Sequence, residues 1–160
     1  MYSEELRTVV LTPPFDIAEA STHTVFNMGK AHKATIFIAA GNMTTDGCLF
    51  TLKCGAAAND VDTNVYDTAT PNIKRTNAAI EAADGDLFTN DVELESNEDY
   101  FKILTTDKRL YRIELNASEL PADKPWVKLQ IGNEGTTENL VCAWALLHMR
   151  YAVDGTVIGS

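Results

Sequence analysis

The sequence predicts an all-β protein built as an antiparallel sandwich or barrel, and two observations lead to that prediction. Apolar residues recur mainly at every second position, which is the period of strands with one buried face. Clusters of Gly, Pro, Asn and Asp separate the apolar runs at regular intervals, which favours antiparallel strands over alternating strands and helices. The chain has 160 residues and is 45% hydrophobic, so it can bury one core of its own.

Seven short runs are predicted as strands because β-branched and aromatic residues alternate within them. They are Thr22–Met28, Lys33–Ala39, Cys48–Cys54, Asp91–Ser96, Tyr100–Thr106, Arg109–Asn116 and Trp126–Gly132. The runs at 33–39 and 48–54 are joined by the turn-rich segment GNMTTDG, so they could pair as a hairpin with both faces partly covered.

Three further segments need separate treatment. Residues 76–83 are Ala-rich with a Thr-Asn start, which fits either a short helix or a crossing strand. Residues 139–151 are long enough for a helix, but their period of two predicts a central strand buried on both sides. Residues 55–72 have the weakest apolar pattern and are predicted to form a long exposed loop.

The domain organisation follows from where core-type residues are found. We predict an N-terminal arm over residues 1–8, a single β-sandwich domain over 9–151 and a C-terminal tail over 152–160, with flexible ends. The N-terminus carries acids where a signal peptide needs basic residues, and no apolar run reaches the roughly 20 residues of a membrane span. These features predict a cytosol-like compartment and no membrane partner.

Charge and cysteine content exclude other classes of partner and cross-link. The chain has 23 acidic and 13 basic residues, and its net charge of -10 disfavours binding to nucleic acid or anionic lipid. Its three cysteines cannot all pair with one another, and we expect them to be reduced and to behave as small buried hydrophobes.

Motifs for catalysis, cofactors and metals are nearly absent. The sequence contains no HExxH, CxxC, GxSxG, GxGxxG or P-loop pattern, so we predict no enzyme activity, no cofactor and no metal. Asp60, Asp62 and Asn64 have the first three spacings of a calcium loop. Val65 and Pro71 stand where such a loop needs Gly and Glu, which excludes an EF-hand and leaves only a looser cation site open.

Two other groups of side chains have both a functional and a structural interpretation. Asp91, Glu93 and Glu95 alternate along one predicted strand, which suits paired acid and base roles but is more typical of a solvated edge strand. Four aromatic residues could form a sugar-binding platform, although alternating aromatics in β-proteins belong more often to the core. They are Tyr100, Phe101, Trp126 and Trp144.

One resemblance adds to this reading. The run Arg109–Tyr151 has a strand ending in ELNASEL, a WVKLQI strand and an apolar segment closing on RY. Together with the run Lys33–Gly55, it resembles small all-β virion proteins that decorate or cement tailed-bacteriophage heads. The resemblance extends from about Val9 to Tyr151. It implies a jelly-roll-like β-sandwich, often a homotrimer, that binds the outer surface of the virion after assembly in the host cytoplasm. Its partner would be the major capsid protein, whose subunits it bridges to stabilise the expanded shell.

Under this interpretation the terminal arms are the candidate partner-binding segments, because they lack a core of their own to pack on. Tyr2, Leu6, Val9 and Val10 are the predicted apolar anchors. The alternative is a receptor- or carbohydrate-binding β-module of a tail or head fibre. A carboxylate-based or metal-assisted hydrolase is a third hypothesis, which the scattering of acids over several strand faces disfavours.

Overall fold

The strands form two packed sheets. A computed structural model describes residues 5–16, 23–41, 48–65, 74–79, 92–93, 101–103, 109–133, 140–150 and 158–159. Within these residues there are twelve strands: β1 (Leu6–Asp16), β2 (Val25–Asn27), β3 (Ala31–Ala40), β4 (Cys48–Gly55), β5 (Thr63–Asn64), β6 (Lys74–Ala79), β7 (Val92–Glu93), β8 (Phe101–Ile103), β9 (Arg109–Asn116), β10 (Trp126–Asn133), β11 (Leu140–Met149) and β12 (Ile158–Gly159). Short 3-10 turns at Met28–Lys30 and Ala117–Glu119 follow β2 and β9.

The strand order is that of a jelly roll. The first sheet has the order β1-β11-β3-β9-β6-β7, and the second has β12-β2-β10-β4-β5, with β8 also paired to β4. Eight of these strands form two facing four-stranded sets, β1-β11-β3-β9 and β2-β10-β4-β8. In that arrangement the chain passes from one sheet to the other at nearly every connection, as two interlocked Greek keys do. The predicted all-β, jelly-roll-like sandwich is confirmed.

The core lies between the inward faces of the two sheets. In β3, Ile36 and Ile38 are fully buried while Phe37 between them is half-buried on the other side, as the period of two predicts. In β4, Phe50 and Leu52 come from the opposite sheet into the same cluster. Full burial of each such side chain stabilises the fold by roughly 1.5–3 kcal/mol.

The predicted hairpin of 33–39 with 48–54 is wrong. β3 lies in the first sheet between β11 and β9, whereas β4 lies in the second sheet beside β10. The two strands contribute their apolar faces from opposite sides of the core. The segment between them therefore joins the two sheets instead of closing a hairpin.

Three predicted segments are resolved as follows. Residues 74–79 form strand β6, which settles the choice between helix and strand for that part of 76–83. β11 is central, between β1 and β3, but its inward face alone is fully buried and its outward face is half-buried. Residues 55–65 are not an exposed loop, because they include β5 and bury Val61 and Val65. Residues 66–72 lie outside the described residues.

Both chain ends include strands that the sequence analysis assigned to arms. β1 begins at Leu6, and Leu6, Arg7 and Thr8 pair with residues of β11, so the domain starts before residue 9. Ile158–Gly159 pairs with β2 and belongs to the second sheet. These segments have few apolar residues to pack. Their backbone N–H and C=O groups are instead satisfied by pairing with a neighbouring strand, which holds the segments in the sheets.

β1 runs along an edge of the first sheet and is shaped by two irregularities. Its register with β11 shifts between Val10 and Thr12 and again between Thr12 and Phe15. The first shift sends both Leu11 and Thr12 into the interior, where the Thr12 Oγ1 lies 3.2 Å from His23 Nδ1. Pro13 follows. Proline has no N–H to donate, and an edge strand tolerates this because one of its two sides has no strand partner.

No helix within the described ranges has the length and apolar character needed to cross a bilayer.

Candidate functional site

A row of large side chains crosses the outer face of the first sheet. Val10 is in register with Trp144, Trp144 with Phe37, and Phe37 with Arg112, so the row spans β1, β11, β3 and β9. Residues directly opposite each other in an antiparallel pair project from the same face of the sheet. We call these four residues the cross-strand row.

The two aromatic rings at the centre of the row are stacked. The ring centroids of Phe37 and Trp144 are 5.5 Å apart and their planes differ by 18°. At this spacing nearly parallel rings overlap with an offset, an arrangement that contributes about 0.5–1.5 kcal/mol beyond simple burial. Each ring gives one face to the other, so the pair does not form a flat platform.

The rows on either side of the cross-strand row extend this apolar surface. On one side Leu146 is in register with Thr8 and Thr35. On the other, Cys142 is in register with Ala39, and Ala39 with Leu110. The face continues into an apolar groove of about 210 Å³ at one end of β3 and β11. Its lining residues are Pro14, Ala39, Ala40, Gly41, Leu140, Val141 and Cys142.

Cys142 behaves as part of this apolar surface. Burial raises the pKa of its thiol, and a backbone hydrogen bond with Ala39 acts in the opposite direction with a smaller effect. The thiol is therefore protonated and uncharged at neutral pH. Cys54 is also a free cysteine and is buried in the core as expected.

Polar residues occupy the other end of the same face. Lys33 Nζ lies 3.0 Å from Glu114 Oε2, and His148 Nε2 lies 3.4 Å from Thr35 Oγ1. The ring of His32 is 5.9 Å from that of His148 between centroids. An apolar centre with a polar rim is the usual composition of a protein–protein interface. We call the outer face of β1, β11, β3 and β9 the docking face.

Exposed large hydrophobic residues concentrate on the docking face. Among the described residues, Leu6 and Val10 are each 57% exposed and Leu140 is 66% exposed, and all three are on β1 or β11. Ile158, which is 44% exposed, lies in the second sheet. Single exposed hydrophobics are common, but a contiguous apolar area on one sheet face marks a binding surface.

The predicted anchors divide between two faces and a segment outside the described residues. Leu6 and Val10 lie on the docking face. Val9 points the other way, is 2% exposed and packs in the core, so it is not available to a partner. Successive residues of a strand alternate in direction, so Val9 and Val10 cannot both serve as anchors. Tyr2 lies outside the described residues.

The structure places the side chains of two of the three candidate cation ligands. Asp60 is exposed, and Asp62 Oδ1 lies 3.8 Å from Lys128 Nζ, which supplies a positive charge where a cation would bind. The side chain of Asn64 lies outside the described set. Across the described ranges there is no group of three His, Cys, Asp or Glu residues that could hold a metal ion.

The acidic triplet and the aromatic platform remain without structural support. Of the triplet, Glu93 is placed only as part of β7, and Asp91 and Glu95 lie outside the described residues. Trp126 is in the second sheet and Trp144 in the first, so the two tryptophans cannot form one platform. Tyr100 is outside the described residues, and Phe101 is placed only as part of β8.

Comparisons with known proteins give little further information. No family model and no curated protein matches the sequence. Among solved structures, this chain is similar to a family two carbohydrate esterase from Cellvibrio japonicus, with 9% identity and a TM-score of 0.31 over 94% of this chain. The chain spans 37% of the length of that esterase chain. Similarity at this level supports no conclusion about activity.

Proposed function

We propose that this protein is a structural virion protein of a tailed bacteriophage. It binds the outer surface of the capsid as a homotrimer and stabilises the expanded shell by bridging major capsid subunits. The docking face supplies the contact with the capsid protein. The observation that carries the proposal is the contiguous apolar surface around the Phe37–Trp144 stack on an otherwise strongly acidic protein.

The composition of the docking face supports binding to a protein. Trp and Arg are enriched among the residues that dominate binding energy at protein interfaces, and Trp144 and Arg112 both belong to the cross-strand row. The face is not acidic where the chain as a whole carries a net charge of -10, since Glu114 pairs with Lys33 and Arg112 adds a positive charge. A partner can therefore approach this face with less electrostatic repulsion than elsewhere.

The fold is compatible with this role. Jelly rolls occur in viral capsid proteins and in lectins. The topology is therefore compatible with capsid binding and equally compatible with sugar binding. A trimer that clamps several subunits gains from multivalency, because each later contact forms at high effective concentration. A module that binds only correctly spaced subunits stabilises the expanded shell over other states.

The first test is the copy number of the chain in purified phage particles, measured by quantitative mass spectrometry against the major capsid protein. We expect a fixed ratio to the capsid protein, with copy numbers of a similar order. A few copies per particle would indicate a tail or fibre component, and none would remove the virion assignment.

A pair of variants tests the docking face itself. Val10→Glu places a charge at the exposed edge of the cross-strand row, and Ile158→Glu places the same charge on an exposed hydrophobic of the second sheet. We expect Val10→Glu to weaken binding to expanded shells at least about tenfold in a co-sedimentation assay, while Ile158→Glu binds like the wild type. Equal binding by both variants would refute the assignment of the docking face.

Carbohydrate binding is the second candidate, because half-buried aromatic rings on an outer sheet face can also stack on sugars. The observation that favours it is the placement of Trp144 and Phe37 beside Arg112. A glycan array separates the two functions: a glycan signal that Trp144→Ala abolishes would support the sugar-binding function.

A further inference from the structure

A second concave site lies at one end of the sandwich, away from the docking face. It is a cleft of about 420 Å³ between the two 3-10 turns, the turn that precedes β10, and the residue that follows β11. This volume is within the range of small-molecule sites. We call it the end cleft; it is lined by Met28, Gly29, Ala117, Ser118, Leu120, Pro121, Ala122, Pro125 and Arg150.

The walls of the end cleft are held by backbone hydrogen bonds. The N–H of Met28 donates to Pro125 O at 2.7 Å, which ties the first 3-10 turn to the start of β10. The N–H of Lys124 donates to Pro121 O at 3.0 Å and closes the turn between them. The Asn27 side chain accepts from the N–H of Gly29 at 2.7 Å. A cleft with fixed walls loses little conformational entropy when a ligand binds.

Two hydrogen bonds hold Arg150 at the rim. Their acceptors are Lys30, the last residue of the first 3-10 turn, and Ala31, the first residue of β3. The backbone N–H of Arg150 donates to Lys30 O and its Nε donates to Ala31 O, each at 3.1 Å. A guanidinium carries further donors on its terminal nitrogens, in a planar fork that matches a carboxylate. The Nε contact restricts the rotation of this fork, and Arg150 lines the cleft.

The other lining side chains, apart from the Ser118 hydroxyl, are apolar. Met28 and Leu120 are buried at the base, and alanine and proline side chains form the sides. None of the described lining residues is acidic. The nearest acid in the second 3-10 turn, Glu119, accepts hydrogen bonds from the backbone and side chain of Asn116. Among the described lining residues Arg150 alone is charged, and Asp123, an exposed acid, follows the lining residue Ala122 in the chain.

We propose that the end cleft binds a carboxylate attached to a small aliphatic group. The carboxylate pairs with the Arg150 guanidinium, the Ser118 hydroxyl donates a hydrogen bond to it, and the aliphatic group packs between Pro121, Pro125 and Met28. The same chemistry is found in a free N-acyl amino acid and in the C-terminal residue of a protein chain. This binding activity is separate from shell binding and does not rest on the docking face.

The test uses N-acetyl-L-leucine, with N-acetyl-L-leucine amide as the matched neutral probe, titrated into the full-length ¹⁵N-labelled protein. A ligand of this size binds with a dissociation constant on the order of millimolar. We expect amide shifts that cluster at Gly29, Ser118, Ala122 and Arg150 with the acid. The amide should bind roughly tenfold to a hundredfold more weakly, because it lacks the charge-assisted hydrogen bonds.

Variants make the assignment specific. Arg150→Gln should reduce the affinity for the acid to that of the amide, whereas Arg7→Gln, a control at an arginine paired with Glu5, should leave it unchanged. Because Arg150 also ties β11 to β3, Ala122→Phe offers a second route: it fills the cleft from an exposed position and should abolish the shifts. Equal binding of acid and amide, or retained binding in Ala122→Phe, would overturn the proposal.

A second titration distinguishes the two sources of the carboxylate. A peptide ending in Ala-Leu with a free C-terminus is compared with the same peptide amidated. Binding of the free-acid peptide at least as tight as that of N-acetyl-L-leucine would identify a protein C-terminus as the ligand. Binding of the small acid alone would identify a free metabolite.

Discussion

Gly55→Ala tests a close backbone approach at the end of β4. Gly55 ends β4, and an ideal Cβ at this position would lie 1.7 Å from Asp60 O and 2.6 Å from Asp60 C. Real Cβ atoms do not approach other atoms within 3.0 Å, so the two segments must separate by at least 1.3 Å (3.0 minus 1.7). Both contacts are with backbone atoms, which cannot rotate away.

The expected loss in the free energy of unfolding follows from the contacts that this separation breaks. Overpacking of this kind costs about 1–3 kcal/mol. Moving residues 60–61 also draws Val61, which is 3% exposed, out of its packed position, and full exposure of such a side chain costs roughly 1.5–3 kcal/mol. Alanine also restricts the conformations of the unfolded chain, and this effect alone raises the free energy of unfolding by about 0.4–1 kcal/mol. We expect a net loss of about 3 kcal/mol in the free energy of unfolding.

Urea unfolding followed by tryptophan fluorescence measures this loss, since Trp126 pairs directly with Gly55 across β10 and β4. Gly41→Ala is the matched control, because its Cβ would meet Leu140 O at 3.3 Å, a contact relieved by a few tenths of an ångström. It should change stability by less than about 1 kcal/mol. If Gly55→Ala is equally mild, the packing of 55 against 60 is not as described.

Three further predictions concern the two faces of β1, the stacked rings of the docking face, and the half-buried His23 beside Thr12. Val9→Ala should lower the free energy of unfolding by roughly 2 kcal/mol, and Val10→Ala should lower it by less than about 0.5 kcal/mol, both measured by urea unfolding. Similar losses for the two variants would contradict their assignment to opposite faces. A double-mutant cycle on Phe37→Ala and Trp144→Ala should give a coupling of about 0.5–1.5 kcal/mol, and a coupling near zero would mean that the rings are not stacked. Burial first and Lys128 second hold the pKa of His23 below its ordinary value, so its stabilising effect is present above about pH 6.5 and is lost as the pH falls. His23→Gln should therefore lose less stability than the wild type between pH 7 and 5, and parallel curves would contradict this assignment.

The anchor residues show how far sequence reasoning reached toward the site. Leu6 and Val10 were predicted from the apolar character of the N-terminal segment, and both lie exposed on the docking face. Val9 was predicted on the same grounds and lies in the core. The period of two separates Val9 from Val10, but it applies only once the segment is assigned as a strand, and β1 was treated as an arm over residues 1–8.

The centre of the docking face was beyond local reasoning. Phe37 and Trp144 lie in strands far apart in the sequence, and they stack because β11 pairs with β3 in one register. The end cleft has the same origin, since Met28, Leu120 and Arg150 come from three separate connections. Neither site contains a spacing pattern that a motif search detects.

The sequence by itself determined the fold class and the approximate positions of β3, β4, β9 and β11 as alternating strands. Alternation of apolar residues specifies these properties locally, because neighbouring side chains of a strand point to opposite faces. Only the tertiary structure decided which strands pair, that β3 and β4 lie in different sheets, and that the chain ends join the sheets at β1 and β12. Strand pairing depends on which apolar faces meet across the core and which edges remain open. Both depend on contacts between residues far apart in the sequence, so the pattern within one strand does not specify its partner.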